Sequence, residues 1–199
     1  MITCINNEIN WLDPLRPAWT TTNCGLTTMI TDDGEISTIC DDSECILLIA
    51  TQQPFARDLR KLVAGFKISI YLERMGDLSV DLAKITLRIG RDKLIKPLID
   101  IPRMSILVQE MLHKGLKAYI QEDCEAAALM TLMDDEIDLI YSRVFEELRL
   151  IMMKEPTQVT QANYLLFACR FLERLGDYCT NIGEEIMYLC TGKRMNLNE

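Results

Sequence analysis

The chain has 199 residues, 49% apolar and 26% charged, a balance that excludes intrinsic disorder and suffices for one buried core or two small ones. Its net charge of −9 presents no basic stripe to nucleic acid and no attraction to an anionic lipid surface. No run of eighteen apolar residues is present to span a membrane, and nine Gly and six Pro, mostly at segment ends, favour long helices.

Residues 1–44 do not resemble the rest. Threonines cluster at Thr20–Thr22, Thr27 and Thr28, and no helical period survives. Thr27 to Ile39 alternates polar and apolar residues around Asp33-Gly34, which is a hairpin signal, though a lone hairpin is marginal without a surface to pack on. After the short apolar run Cys45–Ala50, Pro54 is placed to start a helix running from about Phe55 to Ile89. Its candidate core is Leu59, Leu62, Val63, Phe66, Ile70 and Met75. Gly90 and Pro97 end it and place a boundary near residue 95.

Pro102 opens a second helix to about Ile120, with Ile106, Leu107, Met111, Leu112 and Leu116 facing inward. His113, the one histidine, has no second ligand at metal-binding spacing and reads as a surface or groove residue. Asp123 is the expected N-cap of a long helix to about Met153, stopped by Pro156. Its seam would include Leu129, Leu132, Met133, Ile137, Ile140, Val144, Leu148 and Ile151, and Met130, Met133, Met152 and Met153 read as core filler. The last helix should run from Thr157 to about Leu189 and stop at Thr191-Gly192, with residues 193–199 fraying. The eight cysteines show no CxxC pair and no ligand spacing. They read as small hydrophobes carrying thiols in a reducing cytosol, since no secretory leader is apparent.

The last helix contains FLERLGDYCTNIGEEI (Phe171–Ile186), and one hundred residues earlier stands YLERMGDLSVDLAKI (Tyr71–Ile85). Glu73, Arg74, Gly76 and Asp77 recur as Glu173, Arg174, Gly176 and Asp177, and Asp81 is answered by Asn181, so the chain carries an internal repeat. Steps of four place Glu73, Asp77 and Asp81 on one helical stripe, and likewise Glu173, Asp177 and Asn181; Glu184 returns to within roughly 20° of Glu173. Leu72, Met75, Leu82 and Ile85, with Leu172, Leu175, Ile182 and Ile186, mark a different, core-facing stripe. Like charges four apart repel, and a cation, cross-helix arginines or water must offset that. Oxygen-rich stripes on two helices suit hard or borderline cations. A solvated outer face is the alternative.

These two copies, with QQPFARDLR at Gln52–Arg60 and the ending NIGEEIMYLCTGK, resemble the PhoU family of phosphate-uptake regulators over residues 45–192. The resemblance implies an all-α fold of two pseudo-repeated antiparallel three-helix bundles. Residues 1–44 form an atypical segment, 45–95 a partial first repeat and 96–199 the second. The first bundle is incomplete: INNEINWL (Ile5–Leu12) is the counterpart of MDDEIDL (Met133–Leu139), yet about 26 extra residues separate it from Pro54, and no helix precedes it. An apolar face of the 55–89 helix should then be under-covered.

The resemblance further implies a cytoplasmic negative regulator of the phosphate-starvation response and of phosphate uptake. Its partners would be a phosphate ABC transporter and a membrane sensor kinase, with self-association into a homo-oligomer. Glu73, Asp77, Asp81, Glu173, Asp177, Asn181 and Glu184 would hold iron, zinc or manganese; because Lys84 stands where the second copy has Glu184, and Asp81 where the family usually has Asn, the first site would be either weaker or partly neutralised by its lysine. Arg57 and Asp58 are read either as partner-docking residues or as inter-helix and helix-start charges. No nucleotide-binding loop and no nucleophile–histidine pairing appears, and no enzyme is expected. The alternative is a metal-binding or metal-dependent enzyme on the same carboxylates; a further one is a helical remnant that no longer binds partners.

Overall fold

The computed structural model describes residues 19–21, 27–30, 36–39, 42–90 and 93–197. Ile5–Leu12 and the Asp33-Gly34 turn lie outside them. Three short strands, β1 (Trp19–Thr21), β2 (Thr27–Ile30) and β3 (Ile36–Ile39), form an antiparallel sheet in that order. The hairpin signal is realised by β2 and β3, paired from Thr27 opposite Ile39 to Ile30 opposite Ile36. Helices follow: α1 (Asp42–Gln52), α2 (Arg57–Ile89), α3 (Asp100–Gln121), α4 (Cys124–Ala128), α5 (Met130–Lys154) and α6 (Val159–Thr191).

Local chemistry sets most helix ends. Asp123 Oδ1 accepts from the backbone N–H groups of Glu125 and Ala126, both at 3.0 Å, so the expected N-cap is in place. The helix it opens is interrupted at Leu129 rather than continuous. Pro156 stops α5 and begins a single 3-10 turn, Pro156–Gln158, before α6. Gly192, at φ 70°, closes α6 in the left-handed region that favours glycine, its N–H donating to Tyr188 O at 2.8 Å. Pro54 does not start α2. Gln53 and Ala56 both have positive φ, so the chain turns there and the helix begins at Arg57.

α6 is the axis. α3, α5 and α6 form a three-helix bundle, α4 tucks against α6, and α2 lies along another side of α6. The core joins Ile68 and Leu72 of α2, Met104 and Met111 of α3, and Ile137 and Leu148 of α5 to Ile182 and Ile186 of α6. All eight core-facing residues expected beside the two stripes are buried.

Other expected core positions are corrected. On α2, of the six residues assigned inward only Met75 is buried; Leu59, Leu62, Val63, Phe66 and Ile70 are half-buried because Ala64, Ile68 and Leu72 face α6 instead. Ile106, Leu129, Leu132 and Met153 are exposed, lying on the outer sides of α3 and α5. On α1 and α2 and between them, Ile46, Leu47, Phe55, Val80 and Leu87 are exposed, as an incompletely covered first half would leave them.

The thiol reading is divided. Cys169 and Cys179 are buried free thiols, and burial pushes the Cys169 thiol up to about 12, so neither offers a thiolate. Cys124 and Cys190 instead form a disulfide, which joins the first residue of α4 to the last turn of α6 across 66 residues of sequence.

Candidate functional site

The second stripe lies where α6 packs on α5. Glu173 is buried, and Asp177 and Asn181 are half-buried. What faces them was not foreseen: Asp134 and Asp138 of α5, themselves four residues apart. The signal was present in MDDEIDL, whose aspartates share the stripe's spacing. Gly176 lets the helices close. A Cβ there would stand 2.9 Å from Asp134 Oδ1 and 3.2 Å from Ile137 Cδ1, so only a bare backbone admits the carboxylate.

The electrostatics are those of crowded acids in a seam that is buried at Asp134 and Glu173 and open to solvent at Asp138. Burial pushes the Glu173 carboxyl up to about 7, helped by the charges of Asp177, Asp138 and Asp134 and opposed by Arg170. Burial likewise raises Asp134 to about 6, opposed by the Thr180 hydroxyl and reinforced by Asp138 and Asp177. Asp138 and Asp177 are raised as well, again chiefly by burial. The cationic relief is partial: Arg170 pairs with Glu173 Oε1 and also lies over the Tyr141 ring. Asp134 Oδ1 and Glu173 Oε2 are buried and accept no hydrogen bond. An unpartnered buried carboxylate oxygen is costly, and two of them in one acidic seam call for a proton or a cation.

Among the described residues, no three His, Cys, Asp or Glu side chains stand close enough together to hold an ion. The donor set is nevertheless chemically suited to one: only oxygens, four carboxylates, two atoms unsatisfied. Glu184 is turned elsewhere, its Oε1 accepting from Leu197 N at 2.9 Å.

The first stripe is different. Glu73 and Asp77 are exposed, and Asp81 is half-buried and accepts from Lys84 Nζ at 2.8 Å. The lysine thus does neutralise part of that stripe. Arg57 donates to Glu122 across the α2–α3 contact together with Lys61, whose Nζ lies 2.7 Å from Glu122 Oε1. Both cations hold the Glu122 carboxyl below its usual range. Asp58 is exposed in the first turn of α2, where a negative charge suits the helix dipole.

The PhoU domain family matches residues 26–86 and 101–186, beginning within the segment whose composition stands apart. The "Phosphate-specific transport system accessory protein PhoU homolog" of Clostridium acetobutylicum is 39% identical over 159 residues, covering 79% of this chain and 73% of that protein. The protein of the same name from Rhizobium meliloti is 36% identical over 171 residues, covering 82% and 70%. Among solved structures, PhoU from Pseudomonas aeruginosa is similar with a TM-score of 0.73 at 30% identity, covering 76% of this chain and 73% of that one. The phosphate transport system regulatory protein PhoU from Streptococcus pneumoniae has a TM-score of 0.71 at 28% identity, covering 77% and 72%.

Proposed function

This chain belongs to the PhoU family, and from that premise we propose that it is a negative regulator of phosphate uptake and of the phosphate-starvation response. It acts by contact with a phosphate ABC transporter and a membrane sensor kinase, in the cytoplasm and without catalysing a reaction of its own. The observation that carries this reading is the match over both repeats, to relatives named as accessory proteins of the phosphate-specific transport system. That no described helix is long and apolar enough to cross a membrane is compatible with a protein that reaches its partners by docking.

The seam between α5 and α6 is its cation site. Asp134, Asp138, Glu173 and Asp177 would hold a hard or borderline divalent or ferric ion, of the iron, manganese or zinc class, with Asn181 as a neutral oxygen donor beside them. Bound there, an ion would supply the positive charge that the two unpartnered oxygens lack and would tie α5 to α6. The stripe on α2 is weaker: among the described residues no acidic helix faces it, and Lys84 already occupies Asp81.

Deletion of the gene in its own host tests the regulatory reading. Starvation-reporter output and phosphate accumulation should rise in phosphate-rich medium, and the wild-type chain should restore repression. Unchanged output on deletion would overturn the reading. Restoration by a chain carrying Asp134→Asn with Glu173→Gln would overturn a regulatory role for the cation.

A further inference from the structure

The cysteines among the described residues divide by setting. Cys45, Cys169 and Cys179 are free and buried, whereas Cys124 and Cys190 are bridged and only half-buried, within reach of solvent. The bridge fastens the shortest helix. α4 has five residues, CEAAA, of which only Ala127 is buried, and a helix that short keeps its form only where it is tied down. Asp123 caps its first turn, and the bridge pins that turn to α6.

The residue before the cap makes this more than a staple. Glu122 closes α3 at φ 54° and ψ 40°, a left-handed conformation that a residue with a side chain adopts at a cost. Its carbonyl oxygen lies 3.7 Å from each bridge sulfur, and its carboxylate accepts from Arg57 and Lys61 of α2. The Tyr119 hydroxyl donates to Lys61 O at 3.4 Å, and the Arg60 guanidinium lies beside Gly192, two residues past Cys190. The start of α2, the α3–α4 turn and the last turn of α6 thus meet at one junction, and the bridge is the covalent tie in it.

We propose that Cys124 and Cys190 are a redox modification site, a reversible dithiol–disulfide pair whose state sets how firmly the start of α2 is held. In reduction, the thiolate of a small thiol attacks one bridge sulfur, the S–S bond breaks, and the other cysteine leaves as a thiolate that takes up a proton. A second external thiolate attacks the mixed disulfide, leaving two cysteine thiols and one external disulfide. In oxidation by hydrogen peroxide, one cysteine thiol takes an oxygen atom and becomes a sulfenic acid, releasing water. The second thiol then displaces that oxygen as a second water and the S–S bond forms. Each freed S–H keeps the Glu122 carbonyl as a weak acceptor, which holds the pair in place to close again. Reduction loosens α4, lets Glu122 leave its left-handed conformation, and deprives Arg57 and Lys61 of a fixed partner. The inference does not depend on the regulatory reading; it rests on this junction.

Amide hydrogen exchange of the whole chain, oxidised and after native treatment with dithiothreitol, tests it. Peptide-resolved alkylation should show Cys124 and Cys190 opening in the folded protein while Cys169 and Cys179 stay unlabelled, and hydrogen peroxide should close the bridge again. On reduction, the amides of 60–64 and 125–129 should exchange about tenfold faster, and those of 137–148 should not change. Cys124→Ser with Cys190→Ser should match the reduced protein and ignore both reagents. Glu122→Gln should make 60–64 indifferent to the bridge while 125–129 still respond. A bridge that never forms, that opens only when the chain unfolds, or that peroxide does not restore would overturn the redox site. Equal exchange at 60–64 in the two states would overturn its tie to α2.

Discussion

Asp134 and Glu173 each bury an oxygen with no hydrogen-bond partner, and each carboxyl titrates well above its ordinary range. A carboxyl whose folded pKa is raised binds its proton more tightly in the folded state, so folding loses stability as pH rises from about 4 through the folded values of about 6 and about 7. The ion-free protein should therefore resist urea better at pH 5 than at pH 8, with a cost on the order of 2 kcal/mol at each group. Chemical denaturation at the two values checks this; equal midpoints would contradict it. Asp134→Asn should raise the ion-free midpoint at pH 8 while weakening cation binding, because the charge that destabilises the empty seam is the charge that binds. Gly176→Ala should do neither. Its new Cβ would meet Asp134 Oδ1 and Ile137 Cδ1 inside contact distance, which is expected to cost about 1–3 kcal/mol and to loosen the seam.

At the level of elements, the disulfide ties the start of α4 to the end of α6 and closes a loop of 66 residues. Cys124→Ser, or reduction of the bridge, should lower the denaturation midpoint by an amount corresponding to about 2–4 kcal/mol. A reduced protein as stable as the oxidised one would contradict that role. Neither the bridge nor the acids on α5 were legible beforehand, for the same reason. Both depend on residues brought together from different helices, and sequence spacing reports only neighbours along one helix. The helices themselves were legible because their ends carry local chemistry: Asp123 caps, Pro156 stops, and Gly192 closes. Inward faces were legible where the repeat supplied a second copy to compare, as at Leu72 and Leu172. They were misread on α5, where Leu129 and Leu132 are as apolar as any core residue. An exposed leucine looks, in sequence, like a buried one.

The whole molecule is arranged around α6, which packs on α2 with one side and on α3 and α5 with others, and which carries half of the acidic seam. A cation joining α5 to α6 would stiffen the same helix against which α2 rests, which is how occupancy of the seam could reach a docked partner. A site on α2 alone would not have this reach. The claim that matters most is thus that the second repeat, not the first, is the functional centre. Calorimetric titration of chelator-stripped protein with manganous ion tests it most directly, comparing wild type with Asp77→Asn and with Asp134→Asn plus Glu173→Gln. The account predicts saturable binding that survives Asp77→Asn and is lost in the double variant, with all three proteins equally helical. Binding lost with Asp77→Asn, or retained in the double variant, would contradict it.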